Sequence, residues 1–165
     1  MPSISPCLWF NGQAEEAAQF YTGLFPDSHI DNVSRSAADN PSSKKGDVLT
    51  VNFTLRGVPF TGLNGGPDFT FNEAVSFVID CEDQAEVDRY WDALIDGGGE
   101  PGPCGWLKDR FGLSWQVVPK QLYQVLEGPD RDGAQRAMEA MLQMSKLDVA
   151  QLEAAYAGPA RVGSR

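Results

Sequence analysis

The side chains able to do chemistry are few and scattered. The chain has one histidine, His29, and three cysteines, Cys7, Cys81 and Cys104. A structural zinc site wants closely spaced pairs of thiols or imidazoles. Here no C-x-x-C pair occurs, and the cysteines are odd in number and far apart, which fits a reducing compartment better than a disulfide framework or a structural zinc site. His29 falls in the turn after the first predicted helix, where a solvated imidazole is the expectation rather than a metal ligand. Cys104 has the most suggestive setting: it precedes Gly105 and alternates with Trp106 and Lys108 along one predicted strand face, where an ammonium would lower a thiol pKa. No histidine base accompanies it, so it is expected to be a small buried hydrophobe rather than a nucleophile. Lys108-Asp109-Arg110 reads as a charged, solvent-facing β-turn.

The elements that must position these groups repeat. Ile4 to Phe25 reads as a short apolar strand, a polar cap at Asn11 and an amphipathic helix carrying Ala14, Ala17, Ala18, Tyr21, Leu24 and Phe25 at helical spacing. Ala74 to Ile95 repeats that order at an offset of about 70 residues, with strand Ala74 to Ile79, acidic caps at Asp80, Glu82 and Asp83, and the stop Gly97-Gly98-Gly99. In the first copy Ile30 to Ser34 is a strand and Ala37 to Gly46 a mobile loop. Val48 to Leu55 alternates with Val51, Phe53 and Leu55 on one face, and turns at Arg56-Gly57 into Val58 to Leu63. Asn64 to Asn72 is a Gly-rich linker. In the second copy Glu100 to Gly102, Cys104 to Asp109 and Leu113 to Val118 are strands. Beyond Pro119 a helix from Asp132 carries the apolar stripe Ala134, Ala137, Met138, Met141 and Leu142, and a shorter one carries Val149, Leu152 and Tyr156. The pattern predicts an α+β fold: two pseudo-symmetric βαβββ modules, 1–66 and 73–120, forming a concave mixed sheet, with a helical extension over 121–157 and a frayed tail over 158–165. Function is to be sought in the cleft that such a duplication makes.

Composition narrows the partners. A chain of 165 residues with 42% hydrophobic side chains can bury a sizeable core without disulfides. With 23 acidic against 13 basic side chains, the formal charge of -10 repels phosphate backbones, so no nucleic acid is expected. No apolar span reaches 18 residues, and Pro2, Ser3, Ser5 and Pro6 interrupt the N-terminus, so neither membrane insertion nor secretion is expected and the cytoplasm is the expected location.

Several segments carry a resemblance: Phe20-Tyr21 with Leu24-Phe25-Pro26-Asp27-Ser28, Phe60-Thr61-Gly62-Leu63-Asn64-Gly65-Gly66-Pro67, Val75-Ser76-Phe77-Val78-Ile79-Asp80-Cys81, and above all Cys104 through Pro119. Together they resemble the PhnB-like branch of the glyoxalase/bleomycin-resistance (vicinal oxygen chelate) superfamily, many members of which carry the name 3-demethylubiquinone-9 3-methyltransferase. The arm from Gln135 to Tyr156 resembles the C-terminal extension common in that branch. The resemblance implies paired βαβββ modules, a homodimer, a concave sheet holding a small ligand and, in the superfamily's enzymes, a divalent metal.

Carried over by strand register, the superfamily's four metal positions land on Pro6, Thr61, Ser76 and Gln116. A divalent ion wants imidazole or carboxylate at three or four such places; Pro offers nothing and a Ser or Thr hydroxyl is a weak donor. No metal and no other cofactor is therefore expected. A methyl donor such as S-adenosylmethionine wants a Gly-rich turn between a strand and a helix, whereas Gly62, Gly65 and Gly66 lie between predicted strands. Strand parity places Leu8, Phe10, Thr61, Leu63, Ser76, Ser114 and Gln116 on the concave face and Cys7, Trp9, Phe77, Ile79, Trp115 and Val117 beneath the helices. The expected ligand-binding set is Phe10, Thr61, Leu63, Ser76, Ser114 and Gln116, with no catalytic residue assigned. The expected function is metal-independent binding of a small molecule. The alternatives are an enzyme of the same fold (lyase, isomerase, dioxygenase or the methyltransferase of the family name) and an interaction module working through the helical arm.

Overall fold

The computed structural model describes residues 1–159. The chain divides into two units, Met1–Phe71 and a second that begins at Asn72. The first contains β1 (Cys7–Phe10), α1 (Ala14–Leu24), β2 (His29–Arg35), β3 (Val48–Leu55) and β4 (Val58–Asn64) in a sheet ordered β1-β4-β3-β2. The second contains β5 (Phe77–Cys81), α2 (Gln84–Ile95), β6 (Glu100–Pro101), β7 (Trp106–Lys108) and β8 (Ser114–Pro119), ordered β5-β8-β7-β6. In each, the first strand runs parallel to the last and the remaining pairs are antiparallel. β1 starts at 7 and β5 at 77, α1 at 14 and α2 at 84, so the offset of 70 holds for both elements. This is the expected α+β fold of two βαβββ modules. Each module closes its own four-stranded mixed sheet.

The local causes are visible in the residues. In β3 the apolar alternates Val51, Phe53 and Leu55 are buried and Asn52 is exposed. Arg56 and Gly57 both take positive φ, 49° and 84°, the two-residue hairpin that matches strand twist. Small side chains let α1 approach the sheet: Ala14, Ala17 and Ala18 are fully buried, and a Cβ on Gly62 of β4 would stand 3.3 Å from that of Ala14. Asn11 does not cap this helix. Its first amide, on Ala14, donates instead to Oδ1 of Asn64, 2.9 Å away at the end of β4, and Asn64 Nδ2 donates to the Val48 carbonyl at 3.0 Å. The cap is tertiary, and no local spacing shows it. α2 follows the local rule, since Asp83 accepts from the Glu86 amide at 2.9 Å and Glu86 accepts in turn from the Glu82 amide at 2.7 Å.

Several expected boundaries move, most by one or two residues, and His29, expected in a turn, opens β2. The first strand begins at Cys7 rather than Ile4. The strand expected over Ala74 to Ile79 is β5, Phe77–Cys81, because its pairing with β8 runs from Phe77 against Trp115 to Cys81 against Pro119. Asp80, read as a cap, is thus a strand residue. Asn64, assigned to the linker, closes β4.

The helical extension contains α3 (Lys120–Leu126), α4 (Arg131–Met141) and α5 (Val149–Ala157); α3 was not expected. Val118 of β8 packs with Leu122, Val125, Ala137, Leu147 and Leu152 in one cluster, so the three helices form a second small core on the end of β8. The α4 stripe is narrower than expected. Ala134 and Ala137 are buried, Met141 packs against the cluster from its edge, and Met138 and Leu142 are exposed. Of the expected tail, residues 160–165 lie outside the described residues. Among the described residues no helix is long and apolar enough to cross a membrane.

Candidate functional site

Each sheet has one face under its helix and one open face, and pairing registers say which side chain lies on which. In the first unit Val51 and Leu8 both pair with Gly62, whose missing Cβ points at Ala14 of α1. Leu8 and Phe10 therefore lie on the helix side. Phe10 is 3% exposed, and its Cε2 sits 3.5 Å from where a Gly62 Cβ would be. The glycine leaves the room that the ring fills, which corrects the expected placement of Phe10 on the concave face. Cys7 and Trp9, expected beneath the helix, share the open face with their partners Thr61 and Leu63.

On that open face Asn52 Nδ2 donates to Thr61 Oγ1 at 3.2 Å, and the Trp9 indole donates to the Gly66 carbonyl at 2.9 Å. Trp9 also meets Phe69 edge-on, with ring centroids 4.9 Å apart. A Cβ on Gly65 would come within 2.3 Å of the Trp9 ring. The glycines of this segment thus admit α1 and an indole, and β5 rather than a helix is the next regular element. They do not fit the cradle of a methyl donor. Cys7 is exposed, yet partial desolvation against the sheet pushes its thiol above its ordinary value, further from the reactive thiolate.

In the second unit the open face consists of two cross-strand rows. Glu100 pairs with Lys108 and Lys108 with Ser114 in one; Trp106 pairs with Gln116 and Gln116 with Val78 in the other. Ser76 stands just before β5, and its Oγ accepts from Gln116 Nε2 at 3.0 Å. A cavity of about 440 Å³ opens over the first row, walled by Pro101, Pro103, Trp106 and the Glu73–Lys108 ion pair, with Ser114 also in its lining. Ser114 is 1% exposed, and among the described residues its hydroxyl has no hydrogen-bond partner. Buried hydroxyls are nearly always paired, so this one is a group waiting for an acceptor or donor. The opposite face packs as expected: Trp115 and Val117 are buried under α2.

The ion pair fixes the charge state of the cavity. A hydrogen bond from Lys108 is the main reason the Glu73 carboxyl lies below its ordinary value, and the same bond is the main reason the Lys108 ammonium lies above its own, with Glu100 adding to it. Both groups move away from neutrality.

Two residues differ from expectation around β7. Cys104 lies in a turn rather than on the strand, with φ of 56°, and its amide donates to the Met144 carbonyl at 2.8 Å. Asp109, read as a solvent-facing turn residue, is 3% exposed. Its Oδ1 accepts from the Phe111 and Leu113 amides at 2.9 and 3.1 Å, and its Oδ2 from the Trp115 indole at 2.9 Å. Asp109 thus ties the β7–β8 turn to the core. The signal was available in Asp109-x-x-Gly112, an Asx-type turn with glycine at the left-handed position, φ 85°.

Of the six expected ligand-binding residues, Thr61 and Leu63 lie on the open face of the first sheet, Ser76, Ser114 and Gln116 on that of the second, and Phe10 on neither. Of the four inferred metal positions Pro6 has no donor, and Ser76 and Gln116 are bonded to each other. Among the described residues no three His, Cys, Asp or Glu side chains converge as a metal site would require. The donor set does not fit a divalent cation.

Comparison with known proteins agrees with this architecture. The family model for 3-demethylubiquinone-9 3-methyltransferase matches residues 2–118. A PhnB protein from Bacillus cereus that carries the same family name is 35% identical, with a TM-score of 0.63 over 72% of this chain and 99% of that one. Protein PA1353 from Pseudomonas aeruginosa is 21% identical, with a TM-score of 0.58 over 72% of this chain and 98% of that one. The fosfomycin resistance protein FosX from Mesorhizobium loti is 14% identical, with a TM-score of 0.50 over 71% and 90%. The last two show the fold alone. No curated protein matches the chain.

Proposed function

The chain belongs to the 3-demethylubiquinone-9 3-methyltransferase family, the PhnB-like branch of the vicinal oxygen chelate fold, and on that footing we propose that it is a metal-independent small-molecule-binding protein whose ligand occupies the cavity on the open face of the second sheet. One observation carries this: a buried, unpartnered hydroxyl on Ser114 in the lining of an otherwise mostly apolar cup. Small-molecule sites pair apolar walls with a few placed polar groups that fix orientation. Trp106 and the two prolines supply the walls, and Ser114, whose hydroxyl oxygen lies just under the cavity surface, supplies the orienting group once the lining parts to admit a ligand. The ligand is then a compact, largely apolar molecule with one hydrogen-bonding group for Ser114.

Acid–base catalysis has less support. A general base works best when its pKa lies near the operating pH, and the two paired ionisable groups of this cavity, Glu73 and Lys108, are driven apart instead. The methyltransferase named by the family asks for a donor site that the glycines of residues 62–66 do not form. The fosfomycin resistance protein contributes a fold and no substrate.

The test is a ligand-observed NMR screen of small aromatic and heteroaromatic compounds against the full chain, with metal analysis of freshly purified protein. Compounds whose signals are attenuated by the wild type and not by Trp106→Ala support the cavity. A stoichiometric divalent metal, or hits indifferent to Trp106→Ala, would overturn the proposal.

A further inference from the structure

The segment of chain beyond the family match reaches back to the cavity. The connector between α4 and α5 lies along residues 102–105, the turn that leads into β7: the Cys104 amide donates to the Met144 carbonyl and the Gly105 amide to the Ser145 carbonyl, both at 2.8 Å, and Ser145 Oγ donates to the Gly102 carbonyl at 2.7 Å. Leu147, fully buried in the arm's own core, closes the contact, since a Cβ on Gly105 would stand 2.9 Å from Leu147 Cδ1. The turn so held is not one the backbone prefers. Cys104 sits at φ 56° and Gly105 at 85°, and a non-glycine residue stays in the left-handed region only where its surroundings over-determine it. The same turn supplies Gly102 and Pro103 to the cavity wall and delivers Trp106, whose amide donates to the Pro103 carbonyl at 3.0 Å.

We propose that the α4–α5 connector is a positioning element of the cavity, with Ser145 the residue that fixes the wall formed by Gly102, Pro103 and Trp106. The helical arm then does more than extend the core. Docked, it holds the turn in its left-handed form and the cup at its present width; released, it frees Cys104 to relax and moves the Trp106 wall. Because coupling between two sites is reciprocal, a ligand that packs on Trp106 also stabilises the docked arm. That last consequence rests on the proposed ligand site; the positioning role does not.

The experiment therefore uses no ligand. Full-length protein labelled with 5-fluorotryptophan gives one fluorine signal per indole, with that of Trp106 assigned by Trp106→Phe, and amide hydrogen exchange is followed at Cys104 and Gly105. In Ser145→Ala, loss of one hydrogen bond is expected to speed exchange at both amides by about fivefold and to move the Trp106 signal while those of Trp9, Trp91 and Trp115 stay. Ser145→Thr, which keeps the hydroxyl, is expected to restore both. Faster exchange with an unmoved Trp106 signal would show an arm that braces only itself, and unchanged exchange would show a turn that needs no brace; either overturns the proposal. Both readouts are independent of whether the cavity binds anything, so this result and that of the ligand screen fail separately.

Discussion

Two serines on the same open face should respond to alanine with opposite signs. Ser114 is buried with an unpartnered hydroxyl, while Ser76 Oγ accepts from Gln116 Nε2 at 3.0 Å. A buried polar group without a partner costs about 1–3 kcal/mol relative to one that is paired. Replacing it with a methyl group removes that cost and forfeits only the dispersion contacts of one atom, a few tenths of a kcal/mol. Ser114→Ala is therefore expected to raise stability by about 1 kcal/mol, which for a chain of this length is roughly 2–4 °C in Tm. Ser76→Ala does the reverse: it leaves the half-buried Gln116 amide without its acceptor and is expected to cost about 0.5–1.5 kcal/mol. Urea unfolding followed by circular dichroism measures both. A ligand bonded to the Ser114 hydroxyl should bind Ser114→Ala about fivefold more weakly, so one substitution both stabilises the free protein and weakens the complex. If Ser114→Ala lowers stability by more than about 0.5 kcal/mol, the hydroxyl has a partner in the free protein and the functional argument built on it fails.

Asp109→Asn keeps the shape but offers one acceptor oxygen where the carboxylate serves two amides through Oδ1 and an indole through Oδ2. Its NH₂ then opposes a donor, and a loss of about 2–4 kcal/mol is expected in urea unfolding, with a shift of the Trp115 indole proton signal. Asn64→Ala removes the tertiary cap of α1 and the bond to the Val48 carbonyl together, and is expected to cost about 1–2 kcal/mol, more than Asn11→Ala, which leaves that cap intact. Cys81 is buried, and burial, then the Glu86 and Asp80 carboxylates, pushes its thiol from 9.0 up to about 12. The folded-state value lies above the unfolded one, so the stabilisation is fully present below about pH 9 and is lost as pH rises towards 12, at about 1.4 kcal/mol per pH unit. Cys81→Ala should lower the alkaline slope by about that amount whatever its effect on absolute stability, leaving the smaller contributions of Cys7, Lys108, Tyr123 and Lys146; an unchanged slope in the variant would remove Cys81 as a cause.

The duplication was legible because both copies obey local rules at the same offset. Alternation in Val48 to Leu55, the Arg56-Gly57 turn, the Asp83 cap and the glycine stop after α2 each follow from a few adjacent residues, and each is found where it was expected. What was not legible depends on partners distant in sequence. The face on which Phe10 lies is set by the pairing of Leu8 with Gly62, some fifty residues on, and by the empty Cβ position that admits the ring. Parity counted along β1 alone cannot supply that choice, since a strand of four residues reads equally well either way up. Asn64 as the cap of α1 is likewise invisible from Asn11 outward. Cys104 looked like a strand residue because Cys-Gly-Trp-Leu-Lys alternates, and only the bonds from the α4–α5 connector show why the chain turns there. Charge misled once, at Asp109, where two flanking basic residues suggested water and the carboxylate turned inward to three N–H donors.

The cavity takes its parts from both kinds of determinant. Its Glu100–Lys108–Ser114 row follows from strand order and register within the second module, the part of the chain that falls inside the family match. The turn beside Trp106 is held by residues 144–147, which lie outside it. A scaffold shared with relatives can hold different small molecules if one wall is set by a segment free to vary, because changing that wall does not disturb sheet pairing or the core under α2. Residues 143–148 are placed to do this here: they touch the wall through two backbone carbonyls, one hydroxyl and one buried leucine, and none of these contacts is needed to pair β5, β7 and β8. Exchanging 143–148 for a connector of equal length that keeps Leu147 and Asp148, the latter because it caps α5 through the Gln151 amide, should therefore change which compounds bind while lowering the stability measured in urea by no more than about 2 kcal/mol. Binding that tracks the sheet residues and ignores the exchange would place ligand choice in the shared module instead.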